Sequence, residues 1–452
     1  MFKTALYTAI IFIPLSLNAV PTARTGIYLC NLHSHEFCDS IVEHYELIIT
    51  YDFLREYTMP LKTNVSRWRR GRPILLMYKG CLTLFDSTCN TYTPYSRERT
   101  NGGGHTIGGF YHFDSLFYGY YTDSMNCFLM ASDLTLHIDR LGRIKAGSGE
   151  TWEFRYAMDY GNKYWARFFA CSSKVQCLRN YNGLVYDCTH FNGVLIDHIL
   201  HDPREYGLYP QKYAIRRKDS VVSFNTAAFQ NDIYSFIETV FNEYHCDTTP
   251  PENPQRILAV GNCNNTYLVD TLLWKKYMAQ LDGGMEENFA GTQKFVTVDE
   301  WKNLIWEMQY NESLGKIFFA AKKIQDSLIQ PRDPFGVAWF DSTQMMYGFA
   351  SYLMGCDSMS YFWFGNDYHH YYWAPILDID IGRPLEQYKI SGDTLAVRYF
   401  EKGVVFVNPT EHAVTAGTVG NRLLRVVPSN SIIDTVERFV LEHHTGAVCL
   451  YP

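Results

Sequence analysis

The sequence predicts an α/β protein: a (β/α)8 barrel of the TIM type followed by a small all-β sandwich. Three observations carry that expectation. Short apolar runs recur at eight places, stretches with apolar residues at helical spacing stand between the later ones, and after about Gly382 helical periodicity gives way to short β-type runs.

The eight strand candidates are Gly26–Cys30, Glu46–Tyr51, Pro73–Tyr78, Asn126–Ala131, Asn192–Asp197, Arg256–Val260, Gly283–Glu287 and Lys316–Ala320. Helical spacing marks Thr226–Tyr244, Thr266–Gln280, Val298–Tyr310 and Ser342–Met354. Strand and helix in alternation imply parallel pairing, and eight repeats imply closure into a ring rather than an open sheet. The tail offers Thr394–Phe400, Gly403–Val407, Arg422–Val427, Arg438–Leu441 and Ala447–Leu450, β-branched and aromatic with Gly, Asn and Pro at the bends, as an antiparallel sandwich would. The expected division is therefore a leader at residues 1–19, a barrel at 20–380 and a β-domain at 381–452.

Between Tyr92 and Gly149 the pattern is less regular. Gly102-Gly103-Gly104 and Gly108-Gly109 are followed by the alternating Leu134–Ile138 and then Leu141-Gly142-Arg143, which suggests a hairpin within an elaborated loop near the barrel mouth. The glycines lack the GxxxxGK[ST] pattern of a phosphate-binding loop.

Met1-Phe2-Lys3, the apolar stretch Ala5–Leu17 and Asn18-Ala19 have the layout of a secretory signal with a small residue at the cleavage point. No later segment has the roughly twenty apolar residues of a membrane span, so a secreted, soluble chain is expected. Twelve cysteines fit an oxidising compartment, and Cys30/Cys38, Cys81/Cys89 and Cys171/Cys177 are spaced to close short disulfide loops or to serve as buried thiols. Neither a CxxC pair nor His-rich spacing points to zinc, and neither metal nor organic cofactor is expected. Sequons at Asn64, Asn264 and Asn311 would lie on surface loops of a glycoprotein.

A net charge of −7 leaves no basic field for a nucleic-acid partner, and the short run Arg67-Trp68-Arg69-Arg70-Gly71-Arg72 reads as a solvated helix end. Aromatic residues make up 16% of the chain, enough to fill cores and also to stack on sugar rings.

In such a barrel the strand-end side chains converge on one rim. Here they include Asp52, Lys79, Asp197, Asn262 and Glu287, with Tyr51 and Tyr78 beside the first two. Gly193-Val194-Leu195-Ile196-Asp197-His198 is the most telling segment: an apolar run that stops at a carboxylate makes Asp197 the first catalytic candidate. Asp197 and Glu287 end the fifth and seventh candidate strands, one strand apart, and neighbouring strands lie about 4.8 Å from each other. Two carboxyl groups so placed can face each other across a substrate. Glycoside hydrolysis needs that arrangement, since one acid protonates the leaving oxygen while its partner attacks the anomeric carbon or activates water. Glu286 competes with Glu287, because strand alternation sends only one of them to the rim.

Asp52, Lys79 and Asp159 are either salt-bridged supports or donors and acceptors for sugar hydroxyls. Tyr361-Phe362-Trp363-Phe364 and the aromatic residues up to Trp373 follow the last helix, as a buried seam between the domains or, at Trp363, a stacking platform at the rim. His369-His370 is a poor metal pair because adjacent side chains diverge. A serine hydrolase of the α/β type would show GxSxG, whereas the chain has only Gly147-Ser148-Gly149, and no Cys/His/Asn pattern replaces it.

A family resemblance rests on several of these segments. Asn192–Asp197 is similar to the "DGvflD" strand of glycoside-hydrolase-like (β/α)8-barrel families, and Asp282-Gly283-Gly284-Met285-Glu286-Glu287-Asn288-Phe289 to their later "DGxxxEnf" strand. Leu377–Leu385 followed by Arg398–Thr410 resembles "dlGxPl … R.FenGvVlvNPt", which there marks the passage from barrel to β-domain, and Met158–Asn162 resembles an "mDxxnp" element. Asn192 and His198 depart from the usual Asp and Asn, and the Cys-rich segment Cys171–Cys188 is atypical. The resemblance implies a barrel with a C-terminal β-domain, a carbohydrate substrate, Glu287 as general acid/base and Asp197 as nucleophile or base, or those two roles exchanged. The alternative is a secreted carbohydrate-binding or structural barrel without catalysis.

Overall fold

The computed structural model describes residues 23–29, 35–50, 73–81, 83–85, 130–131, 155–157, 159–178, 191–200, 202, 214–217, 220–223, 225–246, 256–264, 266–268, 271–291, 296–324, 342–365, 372–392, 394–417, 424–427, 434–436 and 438–452. The leader, the glycine-rich runs and the hairpin expected at Leu134–Arg143 lie outside these residues, as do Tyr51 and Asp52.

Eight parallel strands form one sheet in sequential order: β1 (Gly26–Leu29), β2 (Leu47–Thr50), β3 (Ile74–Gly80), β4 (Gly193–Asp197), β5 (Leu258–Asn262), β6 (Gly283–Glu286), β7 (Ile317–Lys323) and β8 (Ser360–Gly365). A parallel bridge between Thr25 and Phe362, with Phe362 N–H donating to Arg24 O, brings the last strand to the first and completes the ring. The strands are short apolar runs buried on both faces, as a parallel sheet wrapped by helices requires. Gly193 is glycine for want of room: a Cβ there would stand 2.4 Å from Leu258 O on the neighbouring strand.

The helices are α1 (His35–His44), α2 (Lys163–Leu178), α3 (Thr226–His245), α4 (Thr271–Met278), α5 (Val298–Ser313) and α6 (Ser342–Gly355). Asn225 caps α3 by accepting from Ala228 N–H, and Thr297 with Glu300 forms a reciprocal capping box on α5, so local sequence meets one orphan donor at each N-terminus.

Two strand expectations are corrected. Of Asn126–Ala131, Met130–Ala131 forms a strand, but it pairs antiparallel with Ala214–Arg217 in a separate three-stranded sheet that also holds Ser220–Ser223. The eighth barrel strand is instead Ser360–Gly365, within the aromatic run read as a seam or platform; aromatic residues suit a pleated, buried surface as well as β-branched ones do. Asp197 thus ends the fourth strand and Glu287 follows the sixth.

The chain continues into β9 (Lys389–Ser391), β10 (Leu395–Phe400), β11 (Gly403–Asn408), β12 (Val414–Gly417), β13 (Leu424–Val427), β14 (Asp434–Val436), β15 (Arg438–Leu441) and β16 (Thr445–Leu450). Six make an antiparallel sheet in the order β9-β10-β11-β16-β13-β14, and β12 pairs with β15 as a ribbon. Strand alternation separates the two faces of β11. Val404 and Phe406 join Ala416, Leu424 and Leu441 in a core shared with the ribbon, while Val405 and Val407 belong to the main core with α6. Arg398 of β10, 4% exposed, stitches this seam by donating to Leu353 O and Cys356 O at the end of α6 and to Glu386 O.

The expected disulfides Cys81/Cys89 and Cys171/Cys177 are not formed. Cys171 and Cys177 stand six residues apart on α2, about 9 Å along the axis and far around it, which no disulfide spans. Cys171 is accordingly exposed while Cys177 is buried, its Sγ 3.6 Å from Phe191 O. Cys30 lies outside the described residues, and the pair with Cys38 with it. Asn311 is also corrected: it is fully buried on α5, its Nδ2 donating to Ile317 O and its Oδ1 accepting from Trp274 Nε1, so this sequon offers no glycan site in the folded chain. Among the described residues no helix is long and apolar enough to cross a membrane.

Replacing Arg398 with Met keeps the apolar stem and leaves two buried carbonyls and one half-buried one without their donor. We expect unfolding in urea to lose about 2–4 kcal/mol; an unchanged midpoint would show that the seam is held by apolar contact alone.

Candidate active site

Register fixes what faces the barrel interior. Tyr78 pairs with Leu195 and Gly80 with Asp197, Gly261 with Ile196, and Asn262 with Met285, so Tyr78, Asp197, Asn262 and Met285 share the inner face. One residue beyond Met285, Glu286 lies on the outer face, and Glu287 returns inward. Alternation along β7 likewise sends Lys323 inward, with Ala321 and Phe319.

The side chains meet at the strand ends. Asn262 Nδ2 donates to Asp197 Oδ1 at 2.8 Å and to Glu287 Oε2 at 3.1 Å. Only this orientation of the amide suits two carboxylates, because the reverse would set Oδ1 against acceptor oxygens. Asp197 Oδ2 accepts from the Tyr78 hydroxyl and lies 3.0 Å from His198 Nε2. Glu287 Oε1 pairs with Lys323 Nζ at 2.6 Å. Each acid therefore has a charged or polar partner of its own, and one amide nitrogen joins them.

His198 reaches Asp197 by an unusual turn of the chain, with φ 68° in the left-handed region. Neighbouring bonds hold this conformation: Tyr160 Oη donates to His198 O at 2.9 Å, and Ile199 N–H donates to Asn262 O at 3.0 Å. The ring packs over Gly80, where a Cβ would stand in ordinary contact with it, 3.6 Å from His198 Nδ1. Beneath, the Cys81 thiol donates to Asp197 O at 2.9 Å; burial pushes its pKa far up, so it serves as a packed donor and not as a nucleophile.

Of the residues singled out from the sequence, Asp197, Asn262 and Glu287 come together. Lys79 does not: it pairs with Ile196 on the outer face of β3, fully buried behind the wall that carries Tyr78. Asp159 sits in the turn before α2, where Oδ1 accepts from Gly161 N–H at 3.0 Å. Trp363 faces inward beside Ala321 but is only 1% exposed, with Tyr372 edge-on to it, so it is packed into the barrel and offers no open stacking face. Tyr51 and Asp52 lie outside the described residues. Sequence reasoning missed Lys323, whose signal was an apolar run closing on two lysines, and gave no role to Tyr78 or His198, both adjacent to residues it did select.

A family model described as "Hypothetical glycosyl hydrolase family 15" matches residues 140–404, more than half of the chain. No curated protein matches. Among solved structures, the noncanonic maltogenic α-amylase AmyB from Thermotoga neapolitana aligns over 96% of this chain and 99% of its own at 9% identity and TM-score 0.43. The Nostoc punctiforme debranching enzyme, soaked with acarbose, aligns over 92% and 88% at 10% identity and TM-score 0.43. The Flavobacterium johnsoniae GH31 dextranase FjDex31A aligns over 96% of this chain and 51% of its own at 8% identity and TM-score 0.45.

Asn262→Asp would put a third carboxyl group between the two acids. At neutral pH the variant should melt below the parent by the equivalent of about 1–3 kcal/mol, and the gap should close on acidification as the added charge is neutralised. A gap independent of pH would mean that the three side chains do not meet.

Proposed function

The chain belongs to hypothetical glycosyl hydrolase family 15, and we propose that it hydrolyses O-glycosidic bonds of a polysaccharide or glycan with Asp197 and Glu287. The observation that carries this is the single Asn262 nitrogen bonded to both acids. It holds their nearest oxygens within about 6 Å of each other, which is compatible with the 5–5.5 Å between carboxyl groups of a retaining enzyme.

The roles follow from the surroundings. Asp197 is held in place by Tyr78, Asn262 and His198, and a carboxyl group so fixed suits a nucleophile that must meet one carbon. Glu287 is the more open of the two, with a side-chain exposure of 20% against 11%, which suits the group that must reach first the leaving sugar and then the incoming water. Glu287 gives its proton to the glycosidic oxygen while Asp197 attacks the anomeric carbon, so the C–O bond to the leaving sugar breaks as an ester to Asp197 forms. Water then attacks the same carbon, losing a proton to Glu287, and the departing Asp197 carboxylate restores the starting state. No other co-reactant is needed.

The leader at residues 1–19 supports secretion.

The test is a panel of glycans and aryl glycosides assayed with the parent, Asp197→Asn and Glu287→Gln. Each variant should lose about a thousandfold or more of the parent's turnover, and proton NMR of the first-formed product should show the anomeric configuration of the substrate. Activity persisting in both variants would sink the residue assignment, an inverted product would sink the nucleophile, and a parent inert on every glycoside would favour the binding protein.

A further inference from the structure

Directly behind the mouth a second acid pair lies on the outer face of the barrel wall. Glu286 at the end of β6 and Glu307 on α5 are both fully buried, and Thr266, in the turn after β5, places Oγ1 2.9 Å from Glu286 Oε1 and 2.9 Å from Glu307 Oε1. A hydroxyl has one hydrogen. It can donate to one of these oxygens, and the other contact is attractive only when a carboxyl O–H donates in return. The remaining Glu307 oxygen, Oε2, is buried without a hydrogen-bond partner among the described residues, so an ionised Glu307 would hold charge there with no donor to meet it. Burial and the neighbouring Glu286 both push Glu307 well above the usual carboxylate range.

We propose that Glu286 and Glu307 share one proton at neutral pH, and that this proton-held pair positions the two segments carrying Asn262 and Glu287. The connections are short: Glu286 is the neighbour of Glu287, Thr266 N–H donates to Cys263 O, and Cys263 N–H donates to Met285 O beside Asn262. When the proton leaves, two negative charges confront each other in an apolar interior and the Thr266 clamp between β6 and α5 opens.

Among the described residues, few ionisable groups bear on the pair. The Cys263 thiol is held neutral, its pKa raised by burial and by both acids. The lysines of α4 turn elsewhere, Lys275 over Trp306 and Tyr310 and Lys276 over Tyr234, and on β7 Lys322 donates to the carbonyls of Ala290 and Gly291. The sign is that of a carboxyl group whose folded pKa is raised: the folded chain holds a proton that the unfolded chain releases, so stability falls as pH rises past the ordinary carboxylate range.

Only the word positioning rests on the hydrolase reading, and the test does not use turnover. Infrared spectra of protein labelled with 13C at glutamate carboxyls should show, at neutral pH, a protonated carboxylic acid that is kept in Glu287→Gln, and so is not the proton of the general acid, and that is lost when Glu307→Gln is added to that variant. The Asn262 side-chain amide resonance should move with the same midpoint as that band in the parent and stay still in Glu307→Gln. Urea unfolding of Glu307→Gln should depend less on pH above neutrality than that of the parent. A parent without a protonated glutamate at neutral pH overturns the shared proton, and a band that titrates while Asn262 does not respond overturns the positioning role. Should Glu307→Gln fail to fold, Glu286→Gln and the parent's own titration decide.

Discussion

Two carboxylates brought to within about 6 Å repel each other by roughly 3 kcal/mol at an effective dielectric near 20, and everything around the mouth answers that constraint. The Asn262 amide is the shortest reply, one nitrogen offering a hydrogen to each acid. It stands on β5, the strand between the two acid-bearing strands, so the spacing of the sheet itself sets the span. Lys323 balances Glu287 from β7, and Tyr78 balances Asp197 from β3. Four neighbouring ladder contacts must hold for these five groups to meet, which is why the closing bridge at Thr25 and Phe362 matters far from the chemistry: an open sheet could flatten and draw the acids apart.

Several buried or half-buried cations perform a different task from that of Lys323. Lys174 donates to Glu243 O and Cys246 O at the end of α3, Lys316 to Met278 O and Leu281 O after α4, and Arg398 to Leu353 O and Cys356 O at the end of α6. Each meets the orphan carbonyls that a helix leaves at its C-terminus. Lys322 does the same for the left-handed Ala290 and Gly291 in the turn beyond Glu287. The consecutive lysines of β7 thus act on one segment from opposite sides of the wall, Lys322 on its backbone and Lys323 on the Glu287 side chain.

These contacts also explain what the sequence could show. Asp197 was legible because a strand buried on both faces is a continuous apolar run, and a carboxylate at its end is conspicuous. Met130–Ala131 and Ser360–Gly365 were not, since an apolar run records burial but not which sheet buries it. The total of eight strands was right with one member wrong. The choice between Glu286 and Glu287 needed the register, because adjacent residues on a strand differ only in the face they take. Lys79 was misplaced for that same reason, and the pairing of Cys171 with Cys177 because the helix that separates them leaves no mark in a cysteine count. Asn311 shows the limit of a three-residue motif, which says nothing of burial.

The C-terminal domain bears on the barrel through α6. From Met345 to Gly355 every residue of this helix is buried, so it has no solvent face, and a helix apolar all round must be enclosed by other elements. The barrel encloses one side, where Trp301 donates to Ser351. The β-sheet encloses the other, where a Cβ on Gly446 would stand 2.4 Å from the Cβ of Ala350. Without the sheet, the helix leading into β8 would present that side to water and lose its Arg398 cap. Since β8 is the strand that returns to β1, the β-domain helps keep the ring shut, and through the ring it contributes to the geometry of two acids on its far side.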